Sequence, residues 1–308
     1  MIHFLNLIRW QNLIMIIAVQ CLIKYALLVP FKTTFGVFTA LTDFEFFVLV
    51  LATTCIAAAG YIINDISDID TDKINKPEKL IINKHISEKV GFNLFIAFNI
   101  LGVGAGFFLA NSISKPGYFV LFVITSAILY LYSTALKQIA VVGNVVVSII
   151  VALSIFIVGI FELLPIMTEL NQSAQKAFLE IVRDYAIFAF LINLIRELIK
   201  DIEDIDGDYN AGIETLPVVI GRERANNIAF IVSLIPIGAI IYYLVQYMFK
   251  QQLMVGYFLL FVLGPLIYVS IKLFNAEKKS HYSHLSFILK LIMLSGMLSM
   301  ILYQYVLK

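Results

Sequence analysis

Acidic residues recur twice in this chain at one spacing. The stretches Asn64-Asp65-Ile66-Ser67-Asp68-Ile69-Asp70-Thr71-Asp72 and Asp201-Ile202-Glu203-Asp204-Ile205-Asp206-Gly207-Asp208 both contain Asp-x-x-Asp-x-x-x-Asp, and the second copy is displaced from the first by 136 residues at all three positions. On a helix, positions i, i+3 and i+7 fall within an arc of about 60°. Asp65, Asp68 and Asp72 then share one face, Asp201, Asp204 and Asp208 share another, and Asp70 and Asp206 point elsewhere. Three like charges on one face repel, and divalent cations among them relieve that repulsion. Oxygen donors without Cys or His suit a hard ion, Mg²⁺ rather than zinc. Mg²⁺ is usually held by one or two carboxylates together with phosphate oxygens. The pattern predicts six catalytic, metal-ligating aspartates and a diphosphate that bridges the two clusters.

Cations lie where such a ligand needs them. Lys73, Lys76 and Lys79 follow the first cluster, Arg196 and Lys200 precede the second, and Lys137 falls between the two. Neutralising a departing diphosphate is chemistry that such residues supply. Arg196 stands out, because it sits in an otherwise apolar stretch, where an ionisable residue usually marks a functional site.

These residues must be carried by membrane-spanning elements. Of 308 residues, 61% are hydrophobic and 14% charged, with a mean hydropathy of +0.93, whereas soluble domains are about half apolar and a quarter charged. Apolar runs at about 12–29, 45–63, 91–110, 118–135, 141–163, 183–199, 226–247, 254–273 and 285–305 are each close to the length of about 20 residues that a transmembrane helix needs. None alternates as barrel strands do, so the expected fold is all-α, a polytopic bundle of nine transmembrane helices. The matched clusters suggest one integral-membrane domain built from two pseudo-repeats, about 1–135 and 141–273, plus a ninth helix. The short glycine- and alanine-rich stretches at 57–60 and 102–106 allow close helix approach.

Orientation follows from the basic residues. The N-terminal flank and the loops after helices 2, 4, 6 and 8 hold 14 of the 22 Lys and Arg, the opposite side holds 7, and Lys290 lies inside the last span. The richer side is expected in the cytoplasm. That puts the N-terminus inside and both acidic clusters on the cytoplasmic face of the cell inner membrane. Arg9 precedes an apolar run but no A-x-A cleavage pattern follows, so this run reads as a retained first span. A net charge of +1 offers no broad basic face for nucleic acid. Cys21 and Cys55 stand alone in apolar runs and suggest no disulfide or zinc site, and the four histidines read as interfacial.

The paired acidic motifs on a nine-helix frame resemble the UbiA superfamily of intramembrane prenyltransferases. Further matches are Asn12 in the first span, Tyr132-Ser133, Leu136-Lys137 and Gly143-Asn144 around the junction of helices 4 and 5, and Gly207-Asp208 followed by Gly212, Thr215-Leu216-Pro217 and Gly221. Within it, the stretches from Asp65 to Pro77 and from Arg196 to Asp204 are most similar to the digeranylgeranylglyceryl phosphate synthase branch. This chain departs by having Lys76-Pro77 and then Leu80-Ile81-Ile82-Asn83 where the family commonly has Arg-Pro and a Pro-x-x-Gly turn. Lysine keeps the charge and loses the bidentate fork.

The resemblance implies Mg²⁺-dependent transfer of a prenyl group from a prenyl diphosphate to a lipophilic acceptor, first of all the hydroxyl of a prenylglyceryl phosphate. It also implies substrate contacts from Asn12, Asn64, Lys73, Lys76, Lys79, Tyr132, Lys137, Asn144, Arg196 and Lys200. Tyr130, Tyr132 and Phe190 are candidates to line a chamber for the prenyl tail. Two other readings compete. One keeps the enzyme and makes the acceptor an aromatic ring; the other is a divalent-cation transporter, disfavoured because both clusters fall on the same side of the membrane.

Overall fold

The computed structural model describes residues 2–75, 77–78 and 80–306, the side chains of Ile74 and Asn75 excepted. The nine expected runs form nine long helices: α1 (Trp10–Phe35), α2 (Asp43–Ser67), α3 (Glu88–Ser112), α4 (Pro116–Thr134), α5 (Val142–Leu163), α6 (Gln172–Asn210), α7 (Arg222–Met248), α8 (Gln252–Phe274) and α9 (Lys279–Val306). No named strand is present among the described residues, and the protein is an integral membrane protein. Among the described residues, eight of these nine helices are long and apolar enough to cross a membrane. Helix α6 is the one expected span outside that set. It is 39 residues long, but only 11 uncharged residues separate Asp184 from Arg196. Its second half carries Arg196, Glu197, Lys200 and Asp201 into the bundle.

Local chemistry fixes where several helices begin. Thr42 caps α2 in a reciprocal box with Glu45, which satisfies two otherwise unpaired amides, and Ser87 caps α3. Helix α3 then packs on α2 and α4 through a small-residue face. A Cβ on Gly102 would sit 2.7 Å from Ile56 Cγ1 and 3.0 Å from the Ala52 carbonyl oxygen, and one on Gly106 would sit 2.4 Å from the Phe122 ring. Lipid supplies no hydrophobic drive between helices, so van der Waals contact at such small-xxx-small faces holds them together. Helices α3 and α4 lie at the periphery, with only 17% and 11% of their most apolar windows buried, against 67% for α2.

One end of the bundle gathers the start of α1 and the segments after α2, α4, α6 and α8. Contacts of Arg9 with Asp65, Lys137 with Asp68, Arg222 with Asp206 and Lys279 with Asp204 tie them together. At the other end a buried ion pair does the tying. Lys24 Nζ lies 3.0 Å from Glu162 Oε1 and donates to the Leu41 carbonyl at 2.8 Å, while Glu162 Oε2 accepts from the Leu41 amide at 3.0 Å. Lys24, a lone lysine in the first apolar run, is 2% exposed inside α1.

Candidate active site

The junction of α4 and α5 places one hand on each acidic cluster. After a short 3-10 turn at Leu136–Gln138, α5 opens with Val142, Gly143 and Asn144. A Cβ on Gly143 would lie 2.7 Å from Lys137 Cα and 3.2 Å from the Leu136 carbonyl oxygen, so a residue with no side chain lets the turn fold against the helix. Lys137 Nζ thereby sits directly on Asp68 Oδ1, and Asn144 Nδ2 donates to Asp201 Oδ2 at 2.8 Å. Asn144 is held by its own chain of contacts: Asn193 Nδ2 donates to Ser148 Oγ at 3.1 Å, and Ser148 Oγ donates to the Asn144 carbonyl at 2.6 Å.

The carboxylates sort by face as their spacing predicts. Side-chain exposure is 17% for Asp65, 21% for Asp68 and 19% for Asp204, against 94% for Asp70 and 90% for Asp206. Asp208 is buried and accepts from Thr215 Oγ1 at 3.2 Å. The outward pair binds surface cations, Asp70 with Lys73 and Asp206 with Arg222. The two copies differ in backbone. The second cluster rides on unbroken α6, whereas α2 stops at Ser67, Asp68 is its non-helical cap with φ −95° and ψ 5°, and a new helix runs over Ile69–Asn75. Backbone bonds from Asp68 N to Asn64 O and from Asp72 N to Asp68 O carry the hydrogen bonding across this break.

Protein cations and amides occupy the positions that a metal ion's charge would serve. Arg9 Nη2 donates to Asp65 Oδ1 at 3.0 Å, and Lys279 Nζ lies 3.7 Å from Asp204 Oδ1. Asn64 Nδ2 donates to Asp68 Oδ2 at 2.8 Å. Among the described residues no three His, Cys, Asp or Glu side chains converge as a ready-made metal cluster. The donors are all oxygens, in two sets, and Asp65, Asp68, Asp201, Asp204 and Asp208 each meet a cation, amide or hydroxyl of the protein. That suits an ion bound by one or two carboxylates and completed by substrate phosphate.

Beside the clusters opens a cavity of about 360 Å³. Its polar mouth carries Arg9, Asn12, Tyr61, Asn64, Tyr132, Arg196, Glu197, Lys200 and Lys290, and its apolar depth is formed by side chains such as Met15, Ile56, Phe122, Leu129, Val151 and Ile157. Glu197 is clamped by its own helix: Arg196 Nη1 donates to it at 2.9 Å, and Lys200 Nζ donates to both of its oxygens at 2.9 and 3.1 Å. An anionic head and an apolar tail fit this shape together.

Of the residues expected to touch substrate, the structure brings Asn12, Asn64, Tyr132, Arg196 and Lys200 to the cavity wall, with Lys137 and Asn144 on the adjoining aspartates. Lys73 is corrected. Its side chain is 53% exposed and bound to Asp70, because the helix restarting at Ile69 turns both outward. Lys76 and Lys79 lie outside the described residues. Tyr130 does not line the chamber; it is 44% exposed and packs against Phe95 from the outer side of α4. Phe190 is likewise not on the wall, where Phe122 and aliphatic side chains take its place.

Sequence reasoning gave no site role to Arg9, Tyr61, Glu197 or Lys290. Two signals were present: Lys290 is the sole charged residue in an apolar last span, and Arg9 stands three residues before Asn12. Arg9 holds a left-handed backbone, φ 49° and ψ 54°, a costly conformation for a non-glycine residue that functional sites often retain. It lets the chain break before α1 and turn the guanidinium onto Asp65 and over the Tyr61 ring at 5.0 Å.

A membrane bundle with two oxygen-donor clusters at one end and, beside them, an apolar cavity lined by four cations suits an intramembrane enzyme for anionic, long-tailed substrates. The UbiA prenyltransferase family profile matches residues 28–292. The chain belongs to that family, and it is a prenyltransferase; the cation-transporter reading is set aside. Among curated relatives, the digeranylgeranylglyceryl phosphate synthase of Sulfolobus acidocaldarius is 33% identical over 240 residues, covering 78% of this chain and 75% of its own. That of Thermococcus kodakarensis is 30% identical over 182 residues, 59% of each chain. The fold is shared with a UbiA homolog from Archaeoglobus fulgidus bound to GPP and Mg²⁺, at a TM-score of 0.57 and 19% identity over 97% of this chain and 99% of that one.

Proposed function

We propose that the protein transfers a prenyl group from a prenyl diphosphate to the hydroxyl of a prenylglyceryl phosphate, with Mg²⁺ as the metal. The observation that carries this reading is the pairing of two aspartate faces with a cavity whose mouth holds four cations and one carboxylate. The curated relatives' names support the glyceryl phosphate acceptor, and the ligands of the fold relative support the donor and the metal. Asp65, Asp68 and Asp72 on one side and Asp201, Asp204 and Asp208 on the other would hold the ion, one cluster from each pseudo-repeat. When bound, Mg²⁺ supplies charge stabilisation to the diphosphate.

The chain's own residues do the rest. Lys137, on Asp68, adds positive charge where the allylic C–O bond breaks and the diphosphate departs. Asn144 and Asn64 orient Asp201 and Asp68 toward the ligand. The apolar depth around Phe122, Leu129 and Val151 houses the tail and keeps water from the allylic cation. The acceptor oxygen then forms the new C–O bond, and diphosphate and a proton are released. Purified protein with Mg²⁺ and radiolabelled geranylgeranyl diphosphate is expected to label geranylgeranylglyceryl phosphate. Labelling of 4-hydroxybenzoate or a naphthoate with no labelling of glyceryl phosphates overturns the acceptor assignment.

The site is assigned to the cytoplasmic face on the charge count. On a Cys21→Ser/Cys55→Ser background, Lys84→Cys and Glu214→Cys are expected to be protected in intact cells from an impermeant thiol reagent. Leu170→Cys, at a position fully exposed on the opposite end, is expected to react. Labelling of the first two and not the third inverts the orientation.

A further inference from the structure

We infer that Lys290 and Arg196 form a second anion site, distinct from the diphosphate site, which selects an acceptor bearing a phosphate monoester. The inference rests on the glyceryl phosphate reading above and names the residues that recognise its head group.

Lys290 is carried on α9 into the cavity wall, and it makes no hydrogen bond or ion pair with any described residue. Arg196, Arg9 and Glu197 line the same wall, which contains none of the six aspartates. Arg196 spends Nη1 on Glu197, while its buried Nε has no partner among the described residues. Around this point the wall contains Arg9, Arg196, Lys200 and Lys290 against Glu197 alone. Arg9 is committed to Asp65 and Lys200 to Glu197, so Lys290 and the Nε edge of Arg196 are the donors left over.

An ammonium held inside an apolar helix without an ion pair is costly, and such residues usually face a cavity and serve function. A bound anion relieves that cost. The diphosphate is served elsewhere, by the aspartate-bound ions and by Lys137 on Asp68. Arg196 lies five residues before Asp201 on the same helix, about 7.5 Å deeper at 1.5 Å per residue, so an anion between it and Lys290 is a separate charge from the one over the clusters. A carboxylate would share part of this chemistry. A phosphate dianion matches two cations with three oxygens, and charge-assisted contacts to it are among the strong ones.

The test uses the full-length protein in detergent, with isothermal titration of three acceptors: geranylgeranylglyceryl phosphate, neutral geranylgeranylglycerol and 4-hydroxybenzoate. Lys290→Met is expected to weaken phosphate-lipid binding about tenfold or more, the size of one lost charge-assisted contact, with Lys290→Arg recovering most of it. Binding of the neutral lipid and the KM for geranylgeranyl diphosphate are expected to change less than about threefold, below the scale of one such contact. Loss of affinity for 4-hydroxybenzoate alone assigns the site to a carboxylate and overturns the phosphate specificity. Unchanged phosphate-lipid affinity in Lys290→Met, or equal weakening of all ligands and of the diphosphate, overturns the anion site while leaving wild-type turnover, and with it the proposed function, standing. Absence of wild-type transfer to the glyceryl phosphate, with Lys290-dependent binding intact, overturns the function and not the site.

Discussion

Asp68→Asn and Asp204→Asn are expected to lower turnover by about 10²- to 10³-fold or more, the scale on which enzymes lose rate when one preorganised electrostatic contact to a transition state is removed. Asp70→Asn and Asp206→Asn are expected to stay within about fivefold of wild type, since exposed ion pairs such as those with Lys73 and Arg222 contribute roughly 0–1 kcal/mol. EDTA is expected to abolish activity and Mg²⁺ to restore it. Within each cluster the two aspartates compared are two positions apart, and what separates them is direction: Asp68 and Asp204 are about 20% exposed toward the cavity end, Asp70 and Asp206 90% or more exposed to solvent. Initial rates with saturating donor and acceptor decide the matter. Equal losses in all four variants overturn the division of the acids by helix face, and equal retention removes the metal from the reaction.

The second large effect lies far from the chemistry. Lys24→Met is expected to destabilise the fold by about 3–5 kcal/mol, because a buried pair broken on one side leaves an uncompensated charge. Here that charge is Glu162, 0% exposed, whose other oxygen fixes the Leu41 amide. The loop between α1 and α2 loses its anchor on the end of α5. The double variant Lys24→Met/Glu162→Gln removes both charges while keeping an acceptor for Leu41, so it is expected to regain much of the lost stability. Thermal unfolding in a single detergent, followed by circular dichroism, measures both. If the single variant melts with the wild type, the ion pair does not hold this end of the bundle.

Much of this protein was fixed by patterns local in sequence. Apolar run length gives the helices, because a lipid-exposed backbone must satisfy its hydrogen bonds within each segment. On unbroken α6 the i, i+3, i+7 spacing gives an acidic face directly and turns Asp206 outward as the helical period requires; in the first copy Asp70 also points outward, although the helix is interrupted at Asp68. The matched copies and the residues around Lys137 and Asn144 identify the family. What the helical period does not encode is which faces of distant helices meet. The break at Asp68 depends on packing around it, and it turns Lys73 to solvent where the motif suggested substrate. Lys24 and Lys290 look alike in sequence, lone lysines in apolar spans, yet one is neutralised by Glu162 from α5 and the other faces an open cavity with no partner. Arg9 reads as a flanking charge until a left-handed turn lays it on Asp65. In each case the role comes from the electrostatic neighbourhood that tertiary packing supplies, since a charge inside an apolar bundle is defined by the group brought to meet it.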